Sequence, residues 1–245
     1  MDLFSFPPIA AILHAAYGAL LGLADILTPL AGTASAAGAV VLVTLLVRAA
    51  LIPVGISQAK AEQMRARLAP QLRALQRRHK SDPERLQRET MKLYRDENTS
   101  PLAGCLPMLA QAPVVGVIYA LFLHATIDGQ ANALLSETLL GVPLGTSLIG
   151  AVAHTALDPA TALVIGVVVL LIAGVGELTR RMLRPPAPGD DSPLAAGTAR
   201  VAGVLQFATA VVALFVPLAA GLYLLVTVSW TLMQRIVLRR KYPLP

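Results

Sequence analysis

Residues Ala39–Gln58, AVVLVTLLVRAALIPVGISQ, are long and apolar enough to cross a bilayer, yet they carry one arginine, Arg48, well inside. An arginine at the centre of a span costs roughly 2.5 to 3.5 kcal/mol on insertion scales, so a lipid-facing helix gains nothing from it. Thr44 precedes Arg48 by four residues and Gly55 follows it by seven, which places all three on one face of a continuous helix. A hydroxyl, a fixed charge and a gap on one face predict a wet, functional cavity. The competing reading is snorkelling towards the headgroups. From Arg48 to the next cation, Lys60, is about 18 Å of helix at 1.5 Å per residue, too far for the side chain alone. A shallower membrane boundary at Gln58 would narrow that gap.

The rest of the composition agrees with a membrane setting. Hydrophobic residues make up 56% of the chain and charged residues 14%, against about 25% charged in an ordinary soluble domain. Mean hydropathy is +0.66. With several apolar runs, these values predict an all-α polytopic membrane protein with room for about five or six spans and one modest polar insertion. The single cysteine, Cys105, excludes an internal disulfide and offers no metal site. The opening MDLFSFPP has no basic n-region, so no cleaved signal peptide is expected. Apart from Arg48, every Lys and Arg lies in 60–95, 180–200 or 235–241, while Asp25, Asp128, Glu137 and Asp158 occupy the stretches between. The positive-inside rule therefore assigns segments 58–99, 179–200 and 235–245 to the cytoplasm.

Taken in order, residues 1–35 form an N-terminal helix whose apolar part, 7–30, either spans or lies along the outer interface. Residues 36–57 are the first core span. Residues 58–99 hold eleven basic and six acidic residues on strong helix formers. Met64, Leu68, Leu72 and Leu75 make one stripe there, and Leu86, Thr90, Leu93 and Tyr94 another. Between them Ser81 with Glu84 fits a capping box, and Asp82 offers a cap with Pro83 at the first helical position. The segment is predicted to be an antiparallel helical hairpin. Residues 100–245 supply four more spans. The first, at 101–124, contains Pro101, Pro107 and Pro113, which remove backbone donors and predict a kink, and its strongly polar residue is Gln111. An external loop at 125–158, a span at 159–178 ending at Glu177, and a Pro/Gly-rich linker at 179–197 follow. A span at 198–216 turns tightly at Pro217 into the last span, 219–237, and a basic tail at 238–245.

That last span carries Tyr223, Thr227, Trp230 and Gln234 at intervals of four, three and four, an aromatic and polar stripe on an otherwise apolar helix. An interfacial aromatic belt would cluster at one end; this stripe runs along the span. The predicted site residues are thus Arg48, Thr44, Gln111, Glu177, Tyr223, Thr227, Trp230 and Gln234. Glu177 either pairs with Arg48 or anchors the interface with Arg180 and Arg181.

Three local patterns resemble one family, the YidC/Oxa/Alb membrane protein insertases. VRAALIPVGISQAKAEQMRARLAPQLRAL is similar to its first core span and the start of its hairpin. MKLYRDENTSPLAGCLPMLAQAPVVGVIYALF is similar to its Pro-Leu-x-Gly-Cys-x-Pro block with Gln-x-Pro. PLAAGLYLLVTVSWTLMQRI is similar to its last span. Together they cover about residues 36–240 in the family's order. Departures are Ser100 where Asn is usual, Ala103 where Gly is usual, and a missing Ser-Asn pair around 227–229. The basic tail is shorter than in family members with a long ribosome-contacting extension, and no large external domain is expected before the first core span.

The resemblance implies a five-span core around a hydrophilic groove, open to the cytoplasm and lipid. It accepts the polar segment of a nascent membrane protein while the apolar segment slides into lipid. No bond is broken, so the expectation is no enzyme, no cofactor and no nucleotide motif, in a bacterial cell membrane. The implied partners are nascent membrane proteins, the ribosome and membrane lipids, with the targeting machinery and the Sec translocon as further candidates; sequence-specific nucleic-acid binding is not expected. A secondary transporter using Arg48 and Glu177 is the rival reading, but it predicts matched internal repeats, and none are evident. A membrane protease finds no support in His14, His124 or His154, which lack any catalytic motif around them.

Overall fold

The computed structural model describes residues 7–97, 116–117, 120–122, 124, 126–127, 130–155, 157–183 and 207–243. The fold is all-α in class. The first helix, α1, runs Pro7–Ala31 and buries Leu13, Leu20 and Ala24, spaced by seven and four on one stripe. Pro29 has no N–H for the helical ladder, and Gly32 takes a left-handed conformation (φ +53°) that favours a residue without Cβ. A 3₁₀ turn at Gly32–Ala34 then leads into α2, Ser35–Ala50. Among the described residues, three helical stretches are long and apolar enough to cross a membrane: Ala10–Ala50, which takes in most of α1 and all of α2, Pro159–Met182 and Leu218–Lys241. Of the other two expected spans, 101–124 lies mostly outside the described residues and 198–216 is described only from Phe207.

One expectation is corrected. The span read as a single helix over 36–57 is broken at Leu51, where the backbone (φ −87°, ψ 7°) leaves the helical region. The next helix, α3, starts at Ile52 and runs to Arg78. Pro53 is the cause: it has no N–H to donate to the carbonyl four residues back, at Ala49, and its ring suits the first turn of a new helix. The ladder resumes with Gly55 N–H on the Leu51 carbonyl at 3.1 Å. Thr44 and Arg48 therefore belong to α2 and Gly55 to α3, so the face they were expected to share is not continuous.

The chain forms two units, one of residues 1–49 and 114–232, the other of residues 50–113 and 233–245. In the first, the buried cluster draws on α1, α2, residues 120–122 and the helices described next. The expected outer loop at 125–158 is built rather than irregular. Two antiparallel ribbons, β1 (Thr126–Ile127) with β2 (Gln130–Ala131) and β3 (Thr138–Leu139) with β4 (Val142–Pro143), frame α5 (Ala133–Ser136) and precede α6 (Leu148–Ala153). Asn132 ties this region together. Its amide donates to the carbonyls of Leu121 (2.6 Å) and His124 (3.0 Å) and accepts from the Leu134 N–H. Tyr17 of α1 accepts the Ala133 N–H at 3.0 Å.

The long helix α7, Pro159–Met182, begins on Asp158, whose carboxylate accepts the N–H groups of Ala160 and Thr161. Hydrogen bonds from the Thr161 side chain and backbone hold the Asp158 carboxyl below its ordinary range. After α8 (Ala208–Val212), Pro217 starts the final turn into α9, Leu218–Lys241. The first free N–H groups of α9, at Leu218 and Ala219, donate to the carbonyls of Thr146 (2.8 Å) and Leu144 (3.0 Å).

In the second unit, α3 and α4 (Pro83–Asp96) form the expected hairpin. Asp82 caps α4 by accepting the Arg85 N–H, with Pro83 at the first helical position, so the cap is Asp82 rather than a Ser81–Glu84 box. Leu68 is fully buried, and Arg67 meets Glu97 at 3.4 Å. Gln71 and Arg78 of α3 line one cleft with Glu89 and Asp96 of α4.

Candidate functional site

On α2, Thr44 is buried and its hydroxyl donates to the Val40 carbonyl at 2.6 Å, so its proton is used within the helix. The oxygen keeps only acceptor capacity for any other partner. Arg48 is half-buried one turn on, in the last turn of α2. Among the described residues no carboxylate pairs with it. A guanidinium carries five donors in a planar fork and cannot shed its charge, so this position is a permanent cation in an apolar helix.

Glu177 was expected either to pair with Arg48 or to anchor the interface. Its oxygens take the Nε and Nη2 of Arg180 (2.7 and 2.8 Å) and the Nε of Arg181 (2.6 Å), residues three and four on along α7. The carboxylate is thus engaged by its own helix.

The stripe on α9 has a distinctive chemistry. Tyr223 is buried, and Thr227, Trp230 and Gln234 are each partly buried. Among the described residues, the Oγ1 of Thr227, the Nε1 of Trp230 and the Nε2 of Gln234 are all shielded from solvent without a hydrogen-bond partner. Leaving one buried polar group unpaired costs about 1 to 3 kcal/mol, and few are tolerated in a native fold. Three of the four residues picked out by spacing share this defect, on one face of one helix. Gln234 also lies against Gly55: a Cβ at Gly55 would fall 2.7 Å from the Gln234 Cδ. The gap expected at Gly55 is the seat of that amide. Gln111 lies outside the described residues.

Sequence reasoning missed the contacts that bring the end of α9 onto the start of α3, chiefly Arg239 with Glu62. The opposite charges were visible, but nothing in either segment says that residues so far apart in sequence meet.

Comparison with known proteins adds the family. Residues 27–244 match the sequence model of the family described as 60Kd inner membrane protein. Among relatives, a Clostridium perfringens protein named membrane protein insertase YidC is 41% identical over 85 residues, covering 35% of this chain and 36% of the relative. A Streptomyces avermitilis protein of the same name is 33% identical over 156 residues, 61% of this chain and 34% of the relative. The ALBINO3-like protein 1, chloroplastic, of Arabidopsis thaliana is 37% identical over 105 residues, 43% of this chain and 20% of the relative. The chain thus spans about a third of the length of these bacterial relatives. Its match to the family runs nearly end to end, however, and with three helical stretches able to cross a membrane the chain is a membrane protein that belongs to the 60Kd inner membrane protein family, the YidC/Oxa/Alb group.

Proposed function

We propose that this chain is a membrane protein insertase of the bacterial cell membrane. It holds the polar segment of a nascent membrane protein against Arg48 while the apolar segment partitions into lipid. The observation that carries the reading is Arg48 itself, a permanent cation on an apolar helix without a carboxylate partner among the described residues. A cation in that state is costly to the apo protein, and a transient anionic guest repays that cost. The unpaired polar atoms of Thr227, Trp230 and Gln234 support the same reading, since they suit a guest with polar backbone and side chains. Hydrophobic burial of the guest's apolar segment supplies the driving force, at about 25 cal/mol per Å² removed from water. No nucleotide or covalent step enters. Nascent chains are the clients, and the basic hairpin 58–99 is where the ribosome, targeting factors or anionic headgroups dock.

The test is insertion of a short-tailed client in cells depleted of their own insertase. Arg48→Ala should abolish insertion of clients with acidic tails, and Arg48→Lys should retain most of it. Equal complementation by the two variants would remove the charge from the mechanism.

A further inference from the structure

The last residues of the chain pack on the start of α3, and the contacts are specific. The Arg239 Nη2 donates to the Glu62 Oε1 at 3.0 Å. The Gln63 amide donates to the Pro243 carbonyl at 2.9 Å. The Lys60 ammonium sits 5.9 Å above the centre of the Tyr242 ring, within cation–π range. The Gln234 amide rests on Gly55. Taken along α3 at 55, 60, 62 and 63, the partners fall at 234, 242, 239 and 243. The first and last pairs advance by eight and nine residues, so the two segments run side by side in the same direction.

We infer that residues 234–243 are a strap that holds the base of the hairpin, and that the strap is built to release. Its location gives it leverage. The first turn of α3 follows the break at Leu51, so it has no preceding helix to extend and its leading N–H groups have no intrahelical acceptors. A segment that begins in this way frays from its start unless something outside the helix holds it. The strap meets α3 at Gly55 in that first turn and again at Lys60, Glu62 and Gln63, about two turns further on.

Its chemistry is that of a latch rather than a core seam. The joining groups are a half-exposed ion pair, one exposed hydrogen bond and one cation–π contact, each weak in water, and the two that carry charge are screened by salt. The Nε of Arg239 is buried with no acceptor among the described residues, so even the strongest contact is incompletely satisfied. The opposed charges make the latch selective: Arg239 needs a carboxylate at 62. This control of the hairpin goes beyond the insertase reading and stands independently of it, because it concerns order in α3 alone.

Hydrogen–deuterium exchange on the full chain in nanodiscs tests it. Glu62→Arg and Arg239→Glu should each speed exchange of the amides of residues 55–66 several-fold, leaving those of α4 unchanged. The double reversal Glu62→Arg/Arg239→Glu should return 55–66 to the wild-type rate. A chain ending at Arg240, which loses the Tyr242 and Pro243 contacts but keeps nearly all of α9, should show the same local acceleration, and wild-type exchange should become faster as salt is raised. Wild-type exchange in both single variants and in the shortened chain would overturn the strap, and so would a double reversal that exchanges as fast as the singles.

Discussion

Gly55 and Gln234 fit together only because Gly55 has no side chain: a Cβ there would stand 2.7 Å from the Gln234 Cδ and 3.0 Å from its Oε1. The obstructing atoms are the far end of a flexible chain, so a single methyl displaces the amide without moving either helix. Alanine also gains about 0.5 to 1 kcal/mol of helix propensity over glycine. Gly55→Ala should therefore leave the thermal midpoint in detergent close to wild type. Gly55→Leu exceeds what the amide can yield and should lose about 1 to 3 kcal/mol, the usual range for overpacking. Gln234→Ala in the Gly55→Leu background should recover much of that loss. A wild-type midpoint for Gly55→Leu would show that the contact is not tight.

The unpaired atoms of α9 make a prediction in the opposite direction. Replacing a buried, unpartnered polar group by an apolar one of similar shape is close to neutral or stabilising. Thr227→Val and Trp230→Phe should hold or raise the thermal midpoint, and yet lower the insertion of clients. Such a split between stability and activity is the mark of polar groups kept for a guest. If both variants instead melt early, these atoms are bonded in the membrane and serve the fold.

Glu177 is committed to Arg180 and Arg181 through three short hydrogen bonds on its own helix. Glu177→Gln should then leave unchanged the ratio in which acidic-tailed and neutral-tailed clients are inserted, because the carboxylate does not compete for Arg48. Paired clients that differ only in tail charge measure this directly. A shift towards the acidic client would return Glu177 to the groove.

Much of this was legible in the residues themselves. The hairpin turn was readable because Asp82 and Pro83 act locally: a cap and a fixed φ need no tertiary partner. The long helices α7 and α9 followed from unbroken apolar runs ending in Arg and Lys. The stripe at Tyr223, Thr227, Trp230 and Gln234 followed from helical spacing alone. Three features were not legible. The break at Leu51 lies inside a continuous apolar run, where hydropathy has no reason to change and Pro53 permits either a kink or a fresh start. The ribbons at 126–143 have strands of two residues, too short for any alternation to register. The contacts of Lys60, Glu62 and Gln63 with residues near the chain end depend on tertiary placement, about which local pattern is silent.

The break at Leu51 has an electrostatic side. Had the helix run on to Gln58, Arg48 would sit in mid-helix, where neighbouring peptide dipoles largely cancel. Ending α2 at Ala50 puts Arg48 in its final turn, beside the carbonyls that have no N–H to receive. Those carbonyls carry the partial negative charge of the helix C-terminus, and a cation there gains about 0.3 to 1 kcal/mol, more where partly buried. The same proline that divides the helix thereby supplies a fixed counter-field for its arginine. Unlike a carboxylate, that field offsets part of the burial cost without occupying the guanidinium's donors.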